Sequence, residues 1–318
     1  MMDVALNEEL WFGELSDNPE EQQAAQSLVA QVAVIHGLRP FPASAQKLMS
    51  IANDPNYTVA NVERIIESDP SLAARVLRVV NSAAYSLQTR CTSISHAVVL
   101  LGAKALSSIA SAMAVLDLFQ SKDGPMVLLR EHSVSVATLS RHLAFALNCG
   151  IPTADLFTCG LLHDLGKLLI FQTEIDGQTG QSEDHYRNLL AKFGGQPDSM
   201  HGPEREFLGF DHAVLAGHIL HAWKIPDPVP VVVARHHQLK RACKEGGNVG
   251  TMVSLVHLAD RLSYCVEQLE EPNADQIKAL LNVESAAFLG IKGAQLGEIW
   301  NGLRAAYRSS RELFTGAG

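Results

Sequence analysis

The chain has 318 residues and a formal net charge of −9, with 34 acidic against 25 basic side chains and no Lys/Arg cluster, so nucleic acid is excluded as an expected ligand. At 47% hydrophobic and 19% charged residues it reads as a soluble globular protein, long enough for a large core and two lobes, and not as a disordered chain. No apolar run approaches the roughly 18 residues that span a membrane, and the first residues are acidic rather than basic, so a cytoplasmic protein without a membrane anchor is expected.

Taken in order, residues 1–19 mix acids with Leu10, Trp11, Phe12 and Leu15, a short packing arm. A helix is expected from Pro19 to His36, stopped by Gly37 and followed by a stiff connector at Pro40 and Pro42. Residues 43–119 read as short helices: 43–53; one capped by Thr58 and ending near Ser68; one capped by Asp69 with Pro70 first; one from Ser93 to Leu101; and an apolar one over 104–119. Strand signals are absent, since the Val-rich runs have helical spacing and no hairpin turns. Residues 121–125, Ser-Lys-Asp-Gly-Pro, read as a linker.

Beyond it a helix is expected over 126–147, carrying His132, then a central helix over 156–171. Residues 174–203, rich in Gly, Gln, Ser and Asp, read as loops around one short helix at 186–193. Asp211 caps a helix to Trp223, Pro226-Asp227-Pro228 starts one that carries Arg235-His236-His237, and 248–269 form another with Asp260 inside. The tail, 273–314, reads as two or three helices. The expected architecture is all-α, divided as an arm and helix at 1–36, a first helical lobe at 37–120, a second at 126–270, and C-terminal helices at 271–318 packing on the body. The five cysteines, Cys91, Cys149, Cys159, Cys243 and Cys265, show no CxxC spacing and are expected to be reduced thiols.

The chemistry concentrates at Leu161-Leu162-His163-Asp164-Leu165-Gly166-Lys167. Apolar residues at 161, 162, 165, 168 and 169 make one helical stripe. His163 and Lys167 then lie one turn apart on a shared face, with Asp164 beside them. Alone, a His-Asp pair on a helix is usually part-buried surface. A divalent metal needs N and O donors from several elements. The candidates are His132, His163, Asp164, His212, His236, His237 and Asp260, from five expected helices that a bundle can aim into one cavity. Seven donors exceed one ion's needs, and Asp164 as a bridging carboxylate would let two ions use them all. On the helix after Asp211, His218 and His221 point about 120° and 180° away from His212, so spacing admits one of the three without choosing it. His142 and His257 read as helix-face or supporting residues; His36, His96, His185 and His201 carry no signal.

The ordered motifs resemble those of HDOD proteins, a bacterial signalling branch of the HD metal-dependent phosphohydrolase superfamily, over roughly residues 37–265. In the first half these are Leu38-Arg39-Pro40-Phe41-Pro42, Asp69-Pro70-Ser71-Leu72, Asn81-Ser82-Ala83-Ala84-Tyr85, and Ser93 to Gly102. In the second they are His132-Ser133, Gly160 to Lys167, Gly209-Phe210-Asp211-His212, His236-His237 and Leu258-Ala259-Asp260. The resemblance implies an HD-like five-helix bundle and a metal site of His132, His163, Asp164 and Asp260. Through the related HD-GYP phosphodiesterases it implies a second metal on His212, His236 and His237 with Asp164. Lys167 matches the lysine those enzymes set against the substrate phosphate. The pattern then departs: Gln238-Leu239-Lys240-Arg241-Ala242-Cys243 stands where HD-GYP proteins carry Gly-Tyr-Pro, so cyclic di-GMP hydrolysis is not expected.

Two functions compete. The resemblance implies a regulatory signalling protein that binds one or two divalent ions (Fe, Mn, Ni, Co or Zn) and acts by protein contact or ligand sensing. Its partners would be separate receiver, cyclase or kinase modules, met through Asn81, Ser82 and Tyr85, or a phosphate-containing small molecule. The alternative is a phosphohydrolase with a dinuclear centre, in which Asp164 and Lys167 would be catalytic. A third reading, a relic site without metal, leaves the histidines as core residues.

Overall fold

Helix caps written in the sequence set the first elements. The computed structural model describes residues 28, 30, 32–34, 37, 42–52, 58–82, 85, 87, 89–117, 124–151, 153–175 and 185–315. Helix α1 spans Ala43–Ala52, α2 Val59–Glu67 and α3 Pro70–Val80. Thr58 starts α2 by accepting the Asn61 N–H at 3.2 Å. Asp69 accepts from Ser71 and Leu72, both at 3.0 Å, and Pro70 opens α3 with its φ already helical. Ser93 accepts from His96 at 3.1 Å to start α4 (Ile94–Leu101), which Gly102 ends at φ 81°. Helix α5 (Ala103–Asp117) is buried along most of its length and packs on α1, α3 and α4 as the centre of the first lobe.

The second lobe is built from α6 (Gly124–Ala146), α7 (Thr153–Leu162), α8 (Leu165–Ile175), α9 (His185–Phe193), α10 (His201–Leu208), α11 (His212–Ala222), α12 (Val229–Arg235), α13 (Leu239–Glu245) and α14 (Gly247–Ser263). Helices α15 (Ala274–Leu281), α16 (Glu284–Phe288) and α17 (Gly293–Thr315) follow. The protein is all-α, with no strand among the described residues.

Helix α6 is the spine: α7, α14 and α17 all pack on it. Helix α7 reaches from α6 to α5 and α12, and α11 lies against α8 and α12. One apolar core runs through both lobes, from Leu106 and Ile109 through Phe157 and Leu161 to Leu139 and Leu255. Two glycines allow closer contact than side chains would. A Cβ on Gly160 would meet the Ala137 Cα of α6 at 2.6 Å, and one on Gly166 would meet the His212 carbonyl oxygen at 1.9 Å. Backbone thus touches backbone where α7 meets α6 and where α8 meets the start of α11.

Several expectations are corrected. The helix expected over 156–171 is two helices, broken at His163-Asp164, where the Lys167 N–H bonds the Asp164 carbonyl at 2.9 Å. Neighbours on a continuous helix diverge by about 100°, so both side chains can enter one cavity only at a break. Helix α12 stops at Arg235, leaving His236 and His237 in the turn beyond it, and α14 stops at Ser263 rather than Leu269. Residues 201–203, expected as loop, open helix α10. Gly37, expected as a stop, is helical. The arm at 1–19, residues 38–41 of the connector and residues 121–123 of the linker lie outside the described residues; Gly124 and Pro125 open α6.

Gly166→Ala is expected to destabilise the fold by about 3 kcal/mol or more, because only backbone movement relieves the clash with His212. Urea unfolding measures it; a loss below about 0.5 kcal/mol would show that α8 and α11 separate freely.

Candidate metal centre

Five elements bring side chains to one point. His132 comes from the middle of α6, His163 and Asp164 from the α7–α8 break, His212 from the first position of α11, His236 and His237 from the turn after α12, and Asp260 from the last turn of α14. His163, Asp164, His212, His236 and Asp260 are buried, and His132 and His237 nearly so.

Each histidine is anchored on its outer nitrogen. The His163 Nδ1–H donates to the Gly160 carbonyl and that of His236 to the Val233 carbonyl, both at 2.8 Å. The Ser263 hydroxyl gives its one hydrogen to the Asp260 carbonyl, so the His132 Nδ1–H donates to Ser263 Oγ at 3.2 Å. His212 Nδ1 meets Glu204 Oε2 at 2.6 Å, and His237 Nδ1 lies 3.3 Å from Asp198 Oδ1. Anchoring Nδ1 leaves Nε2 of each ring to face inward with a lone pair, as metal-ligating histidines require.

The inward atoms form two groups. His132 Nε2 is 3.0 Å from Asp260 Oδ1 and 3.5 Å from Asp164 Oδ2, and His163 Nε2 is 3.4 Å from Asp164 Oδ2 and 3.9 Å from Asp260 Oδ1. On the other side, His212 Nε2 lies 3.1 Å from Asp164 Oδ1 and 3.3 Å from His237 Nε2. The rings of His236 and His237 are 4.0 Å apart. Donors at about 2.1 Å from one ion stand about 3.0 Å apart at right angles and about 3.4 Å apart at the tetrahedral angle. His132, His163 and Asp164 could hold one ion, and His212, His236 and His237 another.

Orphaned atoms supply the test of fit. Nε2 of His132, His163 and His236, and Oδ1 of Asp164 and Asp260, are buried without a well-formed hydrogen bond. A buried acceptor left unpaired costs about 1–3 kcal/mol, so such a cluster needs cations. The residues therefore fit divalent metal ions.

The protonation states agree. Burial pushes the His163 pKa down to about 4 and that of His236 well below its usual value, so both rings are neutral at pH 7. Burial opposes the charge of Asp164, but His163, Lys167 and His212 hold it well below the carboxylate range; Asp260, against His132, falls to about 2. Neutral imidazoles and ionised carboxylates are the ligand forms metals take. His212 is the exception: burial disfavours its cation, yet Glu204 and Asp164 push its pKa up to about 9. A proton on Nε2 would then fill the gap to Asp164 Oδ1, in competition with a metal.

Lys167 is buried and donates to Asp164 Oδ2 at 2.8 Å. Burial works against its charge, but Asp164, Asp260 and Glu204 raise its pKa, so it stays an ammonium.

Sequence reasoning missed Glu204 and Asp198. Glu204, fully buried on α10, also accepts from the His212 N–H at 2.9 Å and the Tyr186 hydroxyl at 2.6 Å. Asp198, at φ 56°, meets His257 Nε2 at 3.0 Å and Arg261 at 2.7 Å besides His237. Asp198 lies in the stretch read as loop and Glu204 just beyond it, before Asp211, where periodicity gives no signal. His201, read as silent, stacks on His237 with ring centres 4.6 Å apart. His218 lies buried away from the site and His221 is exposed, so the fold makes the choice that spacing left open.

Asn81, Ser82 and Tyr85 have partners inside the fold. Asn81 bonds the Leu77 carbonyl and both backbone groups of Cys91, Ser82 bonds the Val79 carbonyl, and the Tyr85 ring packs 5.8 Å from Phe157 beneath Arg141. Beside them a groove is lined by Arg78, Thr89 and Arg90.

The chain matches the HDOD domain over residues 38–239. It is 24% identical over 238 residues to an uncharacterized protein of Treponema pallidum (strain Nichols), covering 72% of this chain and 43% of that protein, so it spans less than half the length of this curated relative. A protein of Shewanella amazonensis SB2B, provisionally described as a metal-dependent phosphohydrolase, has TM-score 0.65 at 21% identity, covering 93% of this chain and 99% of that one. One of Marinobacter aquaeolei VT8, provisionally described as a signal transduction protein, has TM-score 0.61 at 18% identity, covering 98% of this chain and 69% of the other. At these identities the likeness shows a shared fold.

Metal-free protein should lose stability on acidification. His163, His201 and His218, each lowered to about 4 by burial first, are neutral in the fold but protonate near pH 6.5 when unfolded. The unfolded chain therefore binds more protons between about pH 6.5 and 4, and stability falls with pH across that window. His212, raised to about 9, acts oppositely: its contribution is complete below about pH 6.5 and is lost as pH rises through 9. Urea unfolding at pH 7 and 5 after chelation is expected to differ by about 3 kcal/mol, carried mainly by the buried His163 and His218; equal values would contradict the buried neutral rings.

Proposed function

The chain belongs to the HDOD domain family, and on that footing we propose that it is a bacterial signalling protein whose second lobe holds two divalent metal ions sharing Asp164 and binds a phosphate-bearing ligand there. The observation that carries this reading is the orientation of Asp164. Its Oδ2 faces His132 and His163, while its Oδ1 faces His212, which stands beside His237 and His236. A carboxylate set between two histidine groups in this way is suited to bridging.

In this reading His132, His163, Asp164 and Asp260 would hold one ion, and His212, His236, His237 and Asp164 the other. Mixed imidazole and carboxylate donors suit Fe, Mn, Ni, Co or Zn. Glu204 and Asp198 would keep the His212 and His237 rings turned inward. Bound ions would supply Lewis-acid polarisation and an acidified water. Lys167 would place an ammonium beside the ions, with one hydrogen on Asp164 and others for a phosphate oxygen. Output would pass to separate receiver, cyclase or kinase modules by protein contact, for which the groove beside Asn81 and Ser82 is available.

Lys167 also favours a second reading, hydrolysis of a phosphate ester at the same centre. No Gly-Tyr-Pro follows His236-His237, so cyclic di-GMP is not its expected substrate.

Protein purified without chelator is expected to carry about two transition metals per chain by inductively coupled plasma mass spectrometry. His163→Ala should lose about one, and Asp164→Ala both. Below roughly a tenth of a metal per chain after reconstitution with Mn or Fe, the centre is a relic and this reading fails.

A further inference from the structure

The metal centre opens onto a cavity of about 380 Å³ whose chemistry is unevenly divided. Such a volume suits a small-molecule ligand. At the inner end stand Lys167, Asp164 and His132. The walls beyond are chiefly Leu129, Leu190 and Tyr264, and Leu128 at the rim is 64% exposed. The Tyr264 hydroxyl faces the Gly194 carbonyl at 3.4 Å, and Arg187, which also lines the cavity, lays its guanidinium over the Phe171 ring, 5.0 Å from its centre. Among the described residues no Asn, Gln, Ser or Thr lines the cavity.

A nucleobase buried there would find few side chains to meet its donors and acceptors, and each unmet group would cost affinity. An apolar body would lose nothing and would cover Leu128. We infer that this cavity selects the ligand of the metal centre: a phosphate monoester or phosphonate with an apolar, aryl-sized body, its anionic head at Lys167 and its body between Leu129, Leu190 and Tyr264. The inference rests on the metal-centre reading above and adds the class of ligand.

Gly195 gives a way to test it. A Cβ there would meet nothing within 4 Å, and its backbone is not in the left-handed region. Gly195→Phe should therefore fill cavity space with little disturbance of the fold, and Leu128→Asn alters only the exposed rim. Isothermal titration calorimetry would be run on the metal-loaded full chain with methylphosphonate, benzylphosphonate and adenosine 5′-monophosphate. Benzylphosphonate is expected to bind about tenfold or more tighter than methylphosphonate, the gain for burying a phenyl ring, and tighter than adenosine 5′-monophosphate. Gly195→Phe should abolish that gain and Leu128→Asn reduce it, with metal content and methylphosphonate affinity unchanged in both. Metal and methylphosphonate binding without a benzyl gain, or with the nucleotide bound as tightly as benzylphosphonate, overturns the apolar class alone. Failure to bind both metal and methylphosphonate overturns the metal-centre reading and this inference with it.

Discussion

Keeping Asp164 ionised inside a helical body is the constraint on which the site depends. A carboxylate taken out of water is costly unless positive charge and hydrogen-bond donors replace its hydration. Lys167 supplies one such contact at 2.8 Å, and His212 stands 3.1 Å from the other oxygen. Asp260 and Glu204 are buried nearby, so three carboxyl groups face a single lysine across the cluster. The inward nitrogens of His163 and His236 bring no charge, because burial keeps those rings neutral. This imbalance is the physical reason that divalent cations suit the site, and that a proton on His212 is the natural substitute.

The fold meets that constraint by using helix ends. A helix interior presents one side chain per 100°, whereas ends and breaks aim several at one point. His212 opens α11, His236 and His237 follow α12, and His163 with Asp164 occupy the break between α7 and α8. The anchors are helix-end groups too: Gly160 and Val233 lend carbonyls from the last turns of α7 and α12. Close backbone approach at Gly160 and Gly166 brings these ends within reach of α6 and α11.

Around the centre, the protein separates three jobs. Glu204 and Asp198 orient rings from behind; Lys167 faces the cavity; Leu129, Leu190 and Tyr264 shape the space beyond it. The first lobe joins this arrangement through α5, which packs on α7, and through Tyr85, which lies against Phe157 of the same helix. Helix α7 ends at Leu162, next to His163, so one helix packs on the first lobe and leads into the candidate ligand cluster.

Much of this was legible in the chain itself. Caps at Thr58, Asp69, Ser93 and Asp211 are local events between a side chain and the next turn, so residue order determines them. All-α character followed from periodicity; the seven donors were named from residue types that a metal requires together with the resemblance to HDOD and HD-GYP proteins, which alone picked out His212. What spacing could not decide was anything depending on distant backbone. The break at His163-Asp164 hides within an unbroken apolar stripe. The preference for His212 over His218 and His221 depends on where α10 and α8 lie. Glu204 and Asp198 gave no local signal, because their partners are supplied by other elements. Helix propensity and capping act over a few residues and are written in sequence; burial, tautomer and charge partnership arise between elements, and only tertiary structure brings those together.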